Sequence, residues 1–202
     1  MELILVRHAE PVRIGPGEQG DGPVDPELTA AGRDQSERLA RWLAPDSIDH
    51  VITSPLLRAR ETAAPLVERL GLEAEIDPAI TEYDSRSDHY IPVEELRETR
   101  DDRWTAMVEG RWEEFGGEAP DAFRARVLPR MAELAAAHPG ERVAVVCHGG
   151  VVNVYLADVI GIDRVLWFDP AYTSVSRVKV SREGIRSIAT LNETAHLRGV
   201  RV

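Results

Sequence analysis

The sequence predicts an α/β protein: a three-layer α/β/α sandwich around a mostly parallel mixed sheet with an antiparallel edge strand. Three observations predict it. Continuous apolar runs at 3–6 and 143–146 read as short strands buried on both faces. Helical patterns alternate with such runs over most of the chain, which is the arrangement of parallel crossover units. The last two strand-like stretches, 174–180 and 185–191, are joined through Arg182-Glu183-Gly184 and read as a hairpin at the edge of the sheet.

Each element follows from local pattern. After the first strand, residues 11–27 are rich in Gly, Pro and Asp and form a long loop. Thr29 caps a helix to about Leu43, with Leu39, Trp42 and Leu43 on its apolar side, and Pro45-Asp46 ends it. His50 to Thr53 is the second strand. Ser54 as N-cap and Pro55 at the first helical position open a helix to about Leu70, where Gly71 stops it. Glu73 to Ile76 is a weak third strand, closed by Asp77-Pro78. Residues 82–118 differ: they are polar and charge-dense, and they carry Tyr83, Tyr90, Trp104 and Trp112. Pro92 opens one helix to about Val108, and the stretch near 83–118 reads as a cap inserted into a single domain spanning 1–202. Ala122 to Ala137 is a helix interrupted or kinked at Pro129. Arg142 to Cys147 is the fourth strand, and Gly149-Gly150 opens a helix to about Ile160.

Composition narrows the function. The 202 residues are 43% apolar and 29% charged, enough to bury a core without disulfides. A net charge of -11, from 35 acidic against 24 basic residues, argues against nucleic acid and anionic membrane as partners. It leaves room for a small anion in a local pocket of opposite sign. One cysteine, Cys147, excludes a disulfide framework and a cysteine-based zinc site. Lys179 is the single lysine against 23 arginines, so cationic work falls to Arg, which forks onto phosphate or carboxylate. The N-terminus is too short in apolar residues and too acidic for a secretory signal, and no run approaches the roughly 18 apolar residues of a membrane span. These features predict a cytoplasmic protein.

In parallel α/β sheets, ligands sit beyond the carboxyl ends of the strands. Arg7-His8 follows the first strand, Arg58 lies in the first turn after the second, Glu82 follows the third, and His148-Gly149-Gly150 follows the fourth. Two arginines grip an oxyanion bidentately, and the amides opening a helix at Gly149 add partial positive charge. Together they describe a pocket for a phosphate dianion. A neutral imidazole can attack phosphorus, nearby arginines lower a histidine's pKa and keep it neutral, and an alkoxide leaving group needs a proton that Glu82 can supply. With Arg and His neutralising the equatorial oxygens, neither a metal nor another cofactor is expected, in keeping with the lack of any His-x-x-x-His pair or clustered Asp ligands.

These residues fall in blocks with a family resemblance. Leu3-Ile-Leu-Val-Arg-His-Ala-Glu10 resembles the Arg-His-Gly-Glu motif of the histidine phosphatase superfamily, the phosphoglycerate mutase-like proteins. Leu28-Thr29-x-x-Gly32-x-x-Gln35, Thr53-Ser54-Pro55-Leu56-x-Arg58-Ala59-x-x-Thr62-Ala63 and Val146-Cys147-His148-Gly149-Gly150 are similar to its next blocks, in its order. So is the tail around Thr173-Ser174-Val175 and Leu191 to Leu197. The resemblance implies His8 as phosphorylated nucleophile, a phosphate pocket of Arg7, Arg58 and His148, and Glu82 in Ile80-Thr81-Glu82-Tyr83 as proton donor. It implies a small phosphorylated substrate, and homodimers are frequent in the family. Ala9 stands where Gly is usual. Glu10-Pro11-Val12-Arg13 stands where the mutase branch continues with Ser and a nearby Asn, which favours a phosphatase over a mutase.

Taken singly, several of these residues have bland readings. Arg58 shares its helix with Arg60 and Arg69, yet a cation in a first turn opposes the helix dipole and suggests an anion beside it. Glu82 competes with Asp84 and Glu10. Arg13 reads as a solvated loop residue, His196 as a packing residue, and Cys147 as an inert buried thiol. Thr29, Ser54 and Ser174 read as caps or strand hydroxyls. The aromatics at 83–112 either line a substrate cleft or pack the cap. The leading expectation is a metal-independent phosphomonoesterase working through phosphohistidine. A phosphoglycerate mutase and a non-catalytic phosphate- or partner-binding module on the same fold are the alternatives.

Overall fold

A computed structural model describes residues 1–19 and 22–199, so positions 20 and 21 of the 11–27 loop lie outside the described residues. The strands are β1 (Glu2–Arg7), β2 (His50–Thr53), β3 (Ala74–Ile76), β4 (Arg142–Cys147), β5 (Val175–Val180) and β6 (Arg186–Glu193). The helices are α1 (Ala30–Leu43), α2 (Leu57–Leu70), α3 (Val93–Thr99), α4 (Asp102–Glu109), α5 (Pro120–Ala137) and α6 (Gly149–Ile160). One sheet orders the strands β3-β2-β4-β1-β5-β6. β1 pairs in parallel with β4, and β2 in parallel with both β4 and β3, whereas β5 pairs antiparallel with β1 and with β6. The strand that runs against the rest is therefore β5, one in from the edge. The hairpin expected from the sequence forms, and its second strand, β6, is the edge and runs with the majority.

Side chains alternate across a strand, so β1 feeds two layers. Leu3 and Leu5 pack with Phe123, Val127 and Met131 of α5 and with Val151 and Tyr155 of α6. Ile4 and Val6 pack on the other face with Leu39 and Leu43 of α1 and Ala59, Ala63 and Leu66 of α2. This is the α/β/α sandwich. β1 and β4 are covered on both sides, which is why their sequences are continuous apolar runs. Among the described residues no helix is long and apolar enough to cross a membrane.

Three local expectations change. The second helix begins later than Ser54-Pro55 suggested: its N-cap is Leu56, and Asp25 accepts the Leu57 N–H at 2.9 Å in place of a serine cap. The helix expected over 92–108 is two, α3 and α4, because Arg100 turns left-handed (φ 54°) and Asp101 caps a new start by accepting the Arg103 N–H. α5 begins at Pro120 and runs unbroken through Pro129. Thr29 caps α1 as its sequence implies, accepting the Gly32 N–H at 2.9 Å.

The carboxyl ends of β1, β4 and β2 lie side by side, and the chain leaves them as His8, His148 and Ser54. Gly32 lets α1 approach that rim, since a Cβ there would lie 2.1 Å from the Glu10 carbonyl oxygen. The loop after β1 is held by the antiparallel bridges Pro11–Leu28 and Ile14–Tyr90, and a small cluster of Ile14, Val24 and Tyr90 seals it.

Candidate active site

The rim residues converge. His8 is 3% exposed and His148 is fully buried, and their ring centroids are 5.2 Å apart. The His8 Nδ1 lies 2.8 Å from the Ala9 carbonyl oxygen. A carbonyl only accepts, so Nδ1 carries the proton and Nε2 keeps its lone pair. Burial, and then the charges of Arg58 and Arg7, push the His8 pKa well below its ordinary value and keep the ring neutral. Thr62 holds the turn: its hydroxyl accepts the Ala9 N–H and donates to the Arg58 carbonyl.

Arg7 and Arg58 are both buried, and both line the same cavity as His8. Arg7 Nη1 donates to the Pro170 carbonyl at 2.6 Å and to Glu94 at 3.2 Å, with the Tyr172 ring 4.1 Å from its guanidinium carbon. Arg58 packs over Tyr90 at 5.0 Å and sees Asp84 and Asp25 only at 3.8 and 3.9 Å. Among the described residues, Nε of Arg7, Nε of Arg58 and Nδ1 of His148 are buried without a hydrogen-bond partner. Buried polar groups are almost always paired, and these three atoms are left without a partner close to the His8 ring.

His148 caps α6, and its Nε2 is hydrogen-bonded to Ser54 Oγ at 2.7 Å. Burial, and then Arg58, lowers its pKa as well. Gly149, the next residue, lines the cavity. From the sequence, the amides opening α6 at Gly149 are expected to add partial positive charge for the phosphate. The Gly150 N–H instead donates to Glu82 Oε2 at 2.8 Å. Tyr83 N–H binds the other oxygen at 3.1 Å. Glu82 lines the cavity at 8% exposure, and burial, with the nearby Asp84 charge, raises its pKa to about 7 despite those two amides. A Cβ at Gly150 would lie 2.2 Å from Glu82 Oε1, so any larger residue there has to displace the Glu82 carboxylate.

A profile of the histidine phosphatase superfamily (branch 1) matches residues 3–194. The chain belongs to this superfamily. Phosphoserine phosphatase 1 of Hydrogenobacter thermophilus is 30% identical over 200 residues, covering 98% of this chain and 94% of that one. Phosphoglycerate mutase-like protein 4 of Arabidopsis thaliana is 32% identical over 157 residues, covering 75% of this chain and 68% of its own. A solved structure described as mycobacterial hydrolase 1 shares the fold with a TM-score of 0.76 at 23% identity, covering 96% of this chain and 99% of its own.

Several residues of this histidine phosphatase site escape a reading by pattern. Ser54 looks like a helix cap and instead contacts His148. Tyr90, one of the aromatics the sequence offers as cleft lining, and Tyr172, which no spacing marks, flank His8 with centroids at 6.5 and 5.8 Å. Thr173 is buried in the left-handed region (φ 54°), and its N–H donates to the Arg7 carbonyl at 3.1 Å, setting a strained residue against the end of β1. His196 stacks on Trp42 at 5.2 Å and bonds Thr173 Oγ1 at 3.0 Å, away from the chemistry. Arg13 pairs with Glu95 on the surface. Burial raises the Cys147 thiol's pKa, so it is no nucleophile at neutral pH. Among the described residues one group has metal-ligand spacing: His50, His138 and Glu141, with donor atoms within 4.8 Å, at the opposite end of the sheet.

Proposed function

We propose that this chain hydrolyses small phosphomonoesters with His8 as the nucleophile. The observation that carries the reading is one ring: His8 is fixed as the Nδ1–H tautomer and sits between two buried arginines with unpaired Nε groups. Its Nε2 lone pair forms the N–P bond while the ester P–O bond breaks onto the leaving oxygen. Glu82, with a pKa near 7, is protonated in a useful fraction at neutral pH and gives that oxygen its proton. Arg7 and Arg58 hold the equatorial oxygens, and the Gly149 end of α6 adds its dipole. Ser54 accepts the Leu56 N–H, so its own proton is free for His148 Nε2, leaving Nδ1–H as a further donor to the phosphate. Water then attacks phosphorus, its proton passes to the Glu82 carboxylate, and the N–P bond breaks back onto Nε2.

The substrate class is supported by the named phosphatases among the relatives and by a cavity that holds one phosphate-sized cluster of cations. The buried lone thiol of Cys147 accords with work in the cytoplasm. The test is to quench the enzyme in alkali during turnover of radiolabelled 4-nitrophenyl phosphate. An alkali-stable, acid-labile label on the peptide containing His8 is expected, with neither label nor phosphate release in His8→Asn. Phosphate release that survives in His8→Asn overturns the mechanism. Interconversion of 3- and 2-phosphoglycerate without net phosphate release would assign the mutase reaction instead.

A further inference from the structure

The cavity beyond the phosphate pocket has a chemistry of its own. It measures about 410 Å³, within the range of small-molecule sites. Its inner end is the cationic cluster around His8. Its outer walls are apolar and come from two separate segments. Helix α4 presents Trp104, Met107 and Val108, spaced i, i+3 and i+4 on one face, while Ala106 alone faces the core. Across from them stand Leu166, Trp167 and Phe168, from the connection after α6.

These walls are held in place by hydrogen bonds. Asn153 is buried on α6, and its Oδ1 accepts the N–H groups of Trp167 and Phe168 at 3.0 and 3.2 Å. Its Nδ2 donates to the carbonyls of Gly149 and Phe168 at 2.9 and 3.1 Å. The Trp112 indole N–H donates to the Met107 carbonyl at 2.9 Å, tying α4 to the floor. Phe115 remains 40% exposed at the mouth. Charged groups on these walls do not form an anion site. Arg103 is held by Asp101 through Nε at 2.8 Å and Nη2 at 2.6 Å. Asp84 and Asp169 line the cavity, and Arg164 sits exposed on its rim. Besides Arg103, a substrate carboxylate would meet two acids, Asp84 and Asp169, with His89 and one solvated arginine.

The geometry points to a phosphomonoester of a bulky, uncharged apolar alcohol, aromatic or long-chain alkyl, as the substrate class. This rests on the phosphatase reading, and it sets the substrate apart from phosphorylated amino acids and hydroxy acids. A preformed apolar wall selects by the surface it covers, and each buried methylene strengthens binding about threefold to fourfold.

The test is a series of primary alkyl phosphates, from ethyl to octyl, whose leaving groups have matched acidity, so chain length changes burial and not chemistry. The expected result is a rise in kcat/KM of about threefold per methylene over the first several carbons, with octyl phosphate exceeding both phosphoserine and 3-phosphoglycerate. Phe115→Ser and Met107→Ser should each flatten the slope, and Phe115, already half in water, can be replaced without removing core. A flat series with His8-dependent turnover overturns the substrate class and leaves the phosphatase standing. So does a preference for either carboxylate substrate, or a slope unchanged in Phe115→Ser. No His8-dependent turnover of any member, ethyl phosphate included, takes down both.

Discussion

At the carboxyl end of the sheet His8, His148 and Glu82 come together; at the other end His50, His138 and Glu141 do. The residue types are the same and the ring spacings are close, 5.2 Å in one pair and 4.3 Å in the other. What differs is the surroundings. His50 and Glu141 have side chains 45% and 42% exposed, and Glu141 Oε2 lies between the rings, 2.8 Å from His138 Nδ1 and 3.1 Å from His50 Nε2. There the carboxylate meets the imidazoles directly in water. At the other end Glu82 meets backbone amides, and the charges nearest the imidazoles are arginines. Two histidines and a glutamate make a surface hydrogen-bonded cluster in one setting and a buried group beside two arginines in the other. Burial and the identity of the neighbours decide which.

The sharpest test of that contrast compares the two glutamates. Glu82→Gln should lower kcat/KM for an alkyl phosphate about 10²–10⁴-fold, the usual value of a general acid, and kcat/KM for 4-nitrophenyl phosphate, whose leaving group needs no proton, far less. Glu141→Gln should stay within about twofold on both. Because Glu82 titrates near 7, the alkyl rate should fall as pH rises through that value, while His8, its pKa well below 6.5, sustains attack on the acid side. A rate profile in Glu82→Gln that keeps the wild-type alkaline limb would remove Glu82 from the acid role. The two second histidines come next. His148→Asn should cost about 10²–10³-fold in kcat/KM, as loss of one preorganised donor does, against about twofold or less for His138→Asn. Equal losses would mean that the contrast between the two ends has no bearing on chemistry.

Much of this was legible before any coordinates. Residues that follow buried parallel strands share one rim, so Arg7, His8, Glu82 and His148 could be placed together from strand ends alone, and Arg58 from its discordant charge in a first turn. What escaped was long-range or depended on competition between local signals. Ser54-Pro55 has the composition of a helix start, but the helix begins at Leu57, whose N–H Asp25 accepts, and the Ser54 hydroxyl bonds His148, far away in sequence. Asp101 carried a cap signal inside a helical pattern, and the pattern masked it. The Gly150 amide sits at a helix start, where anions are attracted. The anion it meets in the fold is Glu82, brought from the segment after β3. Tyr90, Tyr172 and the strained Thr173 reach the site only through tertiary packing, and no periodicity announces that.

The smallest effect follows from the same burial and concerns stability. In the unfolded chain His8 titrates near its ordinary value of about 6.5. In the fold, burial and then Arg58 and Arg7 push that value well down. Below pH 6.5 the unfolded state therefore binds a proton that the folded state refuses. The stability held above 6.5 is lost as pH falls, at up to about 1.4 kcal/mol per pH unit for one ring. Glu82 acts with the opposite sign: its folded pKa near 7 lies above its ordinary value, so the fold holds an extra proton and Glu82 favours folding toward acid. His8 and His148 outnumber it, and among these three groups the net loss runs toward acid between about pH 5 and 6.5. His8→Asn removes one ring from the sum, and denaturant melts across that window should show a slope shallower by about 1 kcal/mol per pH unit, with His50→Asn run beside it as the exposed comparison. If His8→Asn keeps the wild-type slope, the ring takes up its proton inside the fold, and the neutral nucleophile on which the site depends is lost with it.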